Sequence, residues 1–545
     1  MTVSTDRVRA GVSAIDDGSI PLDLRVAVTG HYDQAGAPDL DAAIDRALDL
    51  ILAQLRPTVR KCCRLVAVSA LAYEADRLVA DCVLARPGAR LEVILPMPKA
   101  DYVTDFDSAH SLAEFERLLG EASWVATLPP HGTREEAYAA AGRAAADRAD
   151  VTIAICDGYA AAGKGGTGDI VGYLREQGHP WIWLSADGRP ARTENLRKLT
   201  HPGWPGVTDA DLASWGEFNE SRLDAGRRTA FIDEFQQRIL KAGGAGLVAD
   251  LNMLLSWLQP PFARAELLSK KFQSRYLRLS AILFVLAALA VCIVGTQLVF
   301  FPGTQLIVIG EIACLVIILG GLEWGRRVHL QQRWISARYL AERLRSSLFL
   351  ALAGADERSY APALVSEEIP AAPWVGTAFT MTWMRRPQVD ADRVSATSLR
   401  GFLSAAWVDD QHQYFKESSA RDRRKYRFSS RVVEALFATS VVVAIVHVAL
   451  GGPEDWIRHV VSLLAISIPA CAAALVGYNS QREYLRNSLR YGQMADSLAK
   501  ANAVMLDAAD HAKIREVAAT VDQMLRQERG EWFGTVRLHD LELPA

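Results

Sequence analysis

Cysteine is scarce in this 545-residue chain, and none of the seven forms a CxxC pair or a Cys/His spacing suited to a metal. Cys62 and Cys63 are adjacent, Cys82 and Cys156 fall in polar sequence, and Cys292, Cys314 and Cys471 sit in apolar runs. That distribution excludes a disulfide framework and leaves reduced, packed thiols. No secretory leader is expected either. The opening MTVSTDRVRAGVSAIDDGS carries Asp6, Arg7, Arg9, Asp16 and Asp17 and no apolar core, so the first domain is expected to stay on the side where it is made. Net charge is only -3, so no global basic balance points to nucleic acid as a partner. A P-loop pattern does not occur at the glycine-rich segment near residue 165.

What the chain does have is length and segregated grease. A chain this long exceeds one ordinary core, so several units are expected. Mean hydropathy is +0.07 although 23% of residues are charged, the mixture that polar domains joined to very apolar segments produce. Leu277–Phe300 reads LRLSAILFVLAALAVCIVGTQLVF, and after FPGT the run Gln305–Leu322 continues as QLIVIGEIACLVIILGGL. A second pair follows: Val432–Leu450, a turn of Gly451, Gly452, Pro453, Glu454 and Asp455, and an arm from Trp456 to about Tyr478. About 20 apolar residues span a bilayer core, so these are two hairpins and four spans. Lys270, Lys271, Arg275 and Arg278 precede the first hairpin, and Arg326, Arg327 and Arg333 follow it. Arg421, Arg423, Arg424, Lys425, Arg427 and Arg431 precede the second, with Arg482, Arg486 and Arg490 after it. The positive-inside rule then puts both flanks, both termini and the N-terminal domain in the cytoplasm, with the inner membrane as location.

The hairpins also look like copies. Ala341-Glu342-Arg343-Leu344 follows the first at the distance at which Ala495-Asp496-Ser497-Leu498 follows the second. Between them, Ser346–Leu364 and Leu399–Ser419 have helical apolar spacing, separated by a stretch with Pro370, Pro373 and Pro387. The expected division is a flexible N-terminus (1–20), a nucleotide-binding-type domain (21–190) and a linker or helical connector (191–268). A first hairpin with its cytoplasmic helix (269–365), a linker (366–398), a second hairpin with its helices (399–535) and a tail (536–545) complete it.

Ahead of the spans, short β-branched runs alternate with helical patterns. Leu24–Val28, Leu65–Val68, Leu91–Leu95, Trp124–Thr127, Val151–Cys156 and Trp181–Leu184 read as strands. Alternation of this kind predicts an α/β fold, a doubly wound parallel sheet of Rossmann-like type, whose ligands bind beyond the carboxyl ends of the strands. At those ends stand Thr29, Gly30 and His31, then Ser69, Leu71, Glu74, Asp76 and Arg77, then Asp157, Gly158, Gly163, Lys164, Gly165, Gly166, Thr167 and Asp169. Glycines let a phosphate approach backbone N–H groups at a helix start, and Lys164 adds charge, so the Gly163–Thr167 loop is the leading anion site. His31 serves a phosphate or sugar, or is a satisfied turn residue; Asp76 and Arg77 contact ligand or pair with each other.

The soluble part resembles the SLOG superfamily, the Rossmann-like group that includes the LOG phosphoribohydrolases and ligand-sensing relatives. The resemblance rests on VAVTGHYD (Val26–Asp33), SALAYEADRLVA (Ser69–Ala80), LPMPKADYVTDF (Leu95–Phe106) and AICDGYAAAGKGGTGDIV (Ala154–Val171). The hairpins look like SLATT, the two-span effector family found with SLOG domains, through Gln332, Arg338, Tyr339 and Ala341–Leu344 and through Trp407, Gln411 and Tyr414. Together these likenesses imply a nucleotide-like ligand controlling a pore-forming membrane effector in bacterial conflict. The LOG pattern puts its catalytic glutamate at Ile170, with Asp169 one position early, and Glu74 stands where relatives carry glycine. Sensing is therefore favoured over hydrolysis; the alternative is a membrane-anchored enzyme that cleaves a nucleotide or NAD.

No catalytic residue, metal or fixed cofactor is assigned beyond that nucleotide-like ligand. The expected partners are the lipid bilayer and further copies of the chain, since four spans make a narrow bundle. Within the spans, Glu311 is read as pore-lining or as an interhelical hydrogen-bond group, Gln297 and His447 as residues near the external ends, and Pro469 as a kink.

Overall fold

The computed structural model describes residues 17–30, 40–55, 57, 60, 63–72, 74–106, 108–155, 166–185, 191–200, 209–243, 245–354, 373–387, 389–450 and 455–538. They form two compact units. One holds the chain up to Ser221 together with a helix, Pro373–Met384, supplied from between the two hairpins; the other holds the remainder.

In the first unit, β1 (Leu22–Gly30), β2 (Cys63–Ser69), β3 (Arg90–Leu95), β4 (Trp124–Thr127), β5 (Val151–Ile155), β6 (Trp181–Leu184) and β7 (Arg192–Glu194) make one sheet in the order β4-β3-β2-β1-β5-β6-β7. All neighbours are parallel except β7, which runs antiparallel on β6. The helices α1 (Leu40–Gln54), α2 (Glu74–Leu84), α3 (Ala109–Glu121), α4 (Arg134–Arg148), α5 (Thr167–Gln177) and α6 (Asp209–Glu220) accompany it. Helices on both faces explain why β1 and β5 are buried almost throughout rather than alternately. The α4 helix starts on a capping box between Thr133 and Glu136 and buries Ala137, Ala139, Ala141, Ala145 and Ala146, a face small enough to lie close on the sheet beside Val68 and Ile94.

The amino ends of the strands carry a network of buried charge. Asp23, 2% exposed, accepts from Arg64 Nε at 2.5 Å and from Arg385 Nε at 3.0 Å, while Glu92 receives Arg25 and Arg148. Burial alone would raise the Asp23 carboxyl, but Arg385, Arg64 and Arg25 outweigh it and hold it at about 2. Arg385 follows the inserted helix, whose Trp374 lies 6.2 Å from Trp215 and 5.5 Å from Phe218 of α6, ring to ring. A stretch expected as a proline-rich linker thus contributes a buried helix to the sheet unit.

The second unit is helical. After α7 (Ala225–Ala242), α8 (Val248–Phe300) is one 53-residue helix, so the apolar run from Leu277 is only its far half. The chain returns through α9 (Val308–Arg327), breaks at His329 and continues as α10 (Leu330–Leu352). After α11 (Ala396–Leu403) and a π-helical turn at Ser404–Asp409, α12 (Asp410–Ala449) leads out, α13 (Trp456–Arg482) returns with Pro469 inside it, a break falls at Glu483, and α14 (Tyr484–Leu506) follows. The last helix is α15 (His511–Leu538). Four of these helical stretches are long and apolar enough to cross a membrane.

Candidate functional site

The sheet order reverses between β1 and β5: the chain leaves β1 towards β2 and leaves β5 towards β6, the kind of switch point beyond whose carboxyl ends open α/β sheets bind ligands. Thr29 pairs with Ala154 and Gly30 with Ile155 at that point. A Cβ on Gly30 would stand 2.6 Å from the Ile155 carbonyl oxygen, so only glycine lets the two strands end this close. Gly166 caps the amino end of α5 with extended backbone and no side-chain hydrogen bond, and Thr167 begins the helix. His31, Asp157, Gly158, Gly163, Lys164 and Gly165 lie outside the described residues.

The β2–α2 connection is held tightly. Ser69 Oγ accepts from the Leu71 amide at 2.9 Å, Asp76 accepts from the Ala72 amide at 3.1 Å, and Tyr102 donates to the Ala70 carbonyl at 3.1 Å. Leu71 is left-handed at φ 58° with its side chain buried, so this turn offers backbone rather than side chain. Arg77 reaches α3, donating to the Ser111 carbonyl at 2.7 Å and to Glu114 at 3.3 Å beside the Phe106 ring. Glu74 opens α2 half-buried, and Asp169 pairs with Arg143 at 3.1 Å. Ile170 packs with Ala146, Ala154, Leu174 and Trp181, so the position the LOG pattern assigns to a glutamate faces an apolar cluster.

In the helical unit, α9 packs on α8, α8 on α13 and α13 on α12. Glycines set the central contact: Gly295 lies against Leu463 and Ile466, and a Cβ on Gly477 would meet the Phe284 ring at 2.7 Å. Near the arginine-flanked ends, Ser280 donates to Gln481, whose amide donates to the Tyr276 hydroxyl at 3.3 Å. His447 Nδ1 lies 3.3 Å from Ser462 Oγ, Gln297 is half-buried in α8, and Glu311 is half-buried in the first turn of α9.

The two hairpins are built alike. Pairing His329 with Glu483 pairs Ala341 with Ala495 and Leu344 with Leu498, and α10 and α14 are both 23 residues long. In that register Ser488, Tyr491, Met494, Ala495, Leu498, Ala501 and Met505, the buried face of α14, fall on Trp334, Ala337, Leu340, Ala341, Leu344, Ser347 and Ala351, all buried in α10. Sequence spacing gave the acidic position; the breaks and the Arg385 contact carried no linear signal.

The two units define a class: a multi-pass membrane protein that also carries a doubly wound, mostly parallel sheet. Residues 405–532 match the family model SLATT_1, the SMODS and SLOG-associating 2TM effector domain 1, which covers the second hairpin from the π-helical turn into α15. No curated protein matches the chain.

Proposed function

We propose that this chain is a nucleotide-responsive membrane effector of a bacterial conflict system, in which an anionic nucleotide-like ligand at the β1/β5 crevice controls a conducting path through the membrane. The observation that carries the reading is one chain holding both a topological switch point bounded by Gly30 and Gly166 and four apolar spans that include a match to a two-span effector family. Residues 21–190 bind ligand, and residues 269–365 and 399–535 form the membrane units. The arginine-rich flanks favour the inner membrane with both termini cytoplasmic.

Four spans make a narrow bundle, with α9 on α8, α8 on α13 and α13 on α12, so the path is built from several copies. Coupling runs through the chain itself: the inserted helix belongs to the sheet unit while both of its continuations enter the helical unit. A ligand that favours one arrangement of the sheet unit thereby biases the hairpins.

The test is ion flux from liposomes holding the purified full-length protein, with and without NAD and nucleoside monophosphates, beside a nucleotide turnover assay. Flux that depends on a nucleotide is the expected result. Turnover without flux replaces the reading with a membrane-anchored nucleotide-processing enzyme, and neither flux nor turnover nor a thermal shift overturns ligand control.

A further inference from the structure

We infer that the basic face of α12 just ahead of the second hairpin, formed by Arg423, Arg424, Arg427 and Arg431, is a docking surface for the phosphates of anionic phospholipids. The inference rests on the reading that the hairpins cross a membrane, and on neither the ligand nor the conducting path.

At 3.6 residues per turn the four arginines fall within about 100° of the helix circumference and about 12 Å of its length. The opposite side of the same stretch carries Asp422 and Ser429, both buried. All four arginines are exposed, and none forms an ion pair or hydrogen bond with a described residue. The cations around them are engaged within the protein. Arg421 lies 3.6 Å from Asp422, and Lys425 sits 5.6 Å from the centre of the Tyr484 ring. Arg486 pairs with Glu483 at 3.3 Å and Arg490 with Glu528 at 3.2 Å.

Topology alone does not ask for this face, because the first hairpin meets the positive-inside bias with fewer free cations. Lys270 pairs with Glu266 at 3.0 Å and Lys271 donates to the Arg222 carbonyl at 2.9 Å, which leaves Arg275 and Arg278 exposed ahead of that hairpin. On α12, a stack of four that ends one residue before Val432 crosses the headgroup layer, about 5–8 Å thick, and reaches within a screening length of about 8 Å beneath it. Guanidinium groups at that depth meet phosphates in the two-pronged geometry they bind best. Phe428, 72% exposed, and Tyr426 stand among the arginines. A phenyl ring so exposed is unfavourable in water and favourable where headgroups meet acyl chains. A nucleic acid or an acidic protein would have to enter that layer to reach Arg427 and Arg431, whereas lipid phosphates already fill it.

The test places the full-length protein in nanodiscs of phosphatidylcholine and phosphatidylglycerol, with one or the other lipid carrying a photoreactive headgroup, and reads the labelled peptides by mass spectrometry. One arginine near an anionic surface strengthens its attraction about fivefold. The ratio of phosphatidylglycerol to phosphatidylcholine labelling over residues 423–431 should therefore exceed that over 270–278 by about fivefold or more, and salt should lower it. Equal ratios in the wild type, or a ratio that salt leaves unchanged, overturn the inference whether or not any variant folds. Arg423→Gln, Arg424→Gln, Arg427→Gln and Arg431→Gln together should abolish the excess, and the four Lys replacements should keep most of it. An excess that survives the Gln variant removes these residues from the surface. Loss of the label to added heparin gives the face to an acidic macromolecule and overturns the lipid. Labelling of the apolar runs by an acyl-chain probe in the same discs reads the spans separately, so a failed membrane reading and a failed lipid surface give different results.

Discussion

Asp150 offers a measurable consequence of how the sheet unit is assembled. Its amide donates to the Arg25 carbonyl at 2.9 Å, and its carboxylate accepts from the Arg25 amide at 2.8 Å, so one residue closes the start of the β1/β5 ladder from both sides. Burial pushes this carboxyl up to about 6, the Arg25 hydrogen bond and charge pull against it, and Asp23 and Glu92 add to the rise. A pKa raised in the fold means that ionisation opposes folding. The penalty is absent below about pH 4, grows between about 4 and 6, and is complete above that. Two units correspond to about 3 kcal/mol, and the residue's partial solvent contact reduces the expectation to about 2 kcal/mol.

Asp150→Asn keeps the acceptor and removes the charge. The variant should match the wild type near pH 4 and exceed it by about 2 kcal/mol at pH 8. Denaturant unfolding of the detergent-solubilised full-length protein, followed by hydrogen exchange in β1 and β5, provides the two curves. Asp23, held at about 2 by its arginines, is ionised across that window, Glu92 is lowered by Arg25 and Arg148, and both are common to the two proteins being compared. A variant whose advantage does not change between pH 4 and pH 8 would refute the assignment of the slope to Asp150.

Three further outcomes are expected. Arg385→Leu leaves Asp23 buried with fewer cations and should cost about 3 to 5 kcal/mol in the sheet unit, part of which Asp23→Asn restores in the double variant; a double-variant cycle in denaturant measures the coupling. Gly30→Ala drives a Cβ into the Ile155 carbonyl, so it should lower Tm and abolish any nucleotide-induced thermal shift, read by differential scanning fluorimetry. Glu311→Gln should move the reversal potential of the liposome current while size-exclusion chromatography shows unchanged assembly, since its half-buried carboxylate stands in the first turn of α9.

Sequence alone carried the elements whose signal is local. Leu24–Val28, Leu65–Val68 and Leu91–Leu95 announce buried parallel strands because both faces of such a strand are covered, and the apolar runs announce spans because lipid admits little else. The strand β7, with Arg192, Thr193 and Glu194 all exposed, carries no apolar signal, since its pairing is antiparallel and at the sheet edge. Nor does spacing reveal that a helix at Pro373–Met384 completes a sheet begun 350 residues earlier in the chain, because its tie to Asp23 depends on Arg385 arriving from outside every local pattern. At the crevice, strand ends gave Thr29, Gly30 and Ser69 their places, while Arg77 lies where a helix-start arginine can equally serve packing, on α3.

The C-terminal helix α15 breaks the likeness between the hairpins, and it does so through charge. Arg343 of α10 lies 3.7 Å from Asp522, which Arg526 also reaches at 2.8 Å, while Arg490 of α14 lies 3.2 Å from Glu528. In the shared register Arg343 falls on Ser497 and Arg490 on Ser336, so each ion pair exists in one copy only. A single helix packing on both α10 and α14 meets two similar apolar faces, and shape alone specifies its register poorly. Buried charges supply the difference, because a shifted register would strand Arg343, 3% exposed, opposite an apolar residue. Asp522→Asn should therefore cost about 3 to 5 kcal/mol, read as earlier proteolytic release of α15 from the detergent-solubilised protein. Replacing Arg343 and Asp522 together by Met and Leu should recover most of that stability while loosening the register, seen as broadened spin-label distances between α15 and α10. Equal losses in the single and double variants would show that the pair does not set the position of the helix.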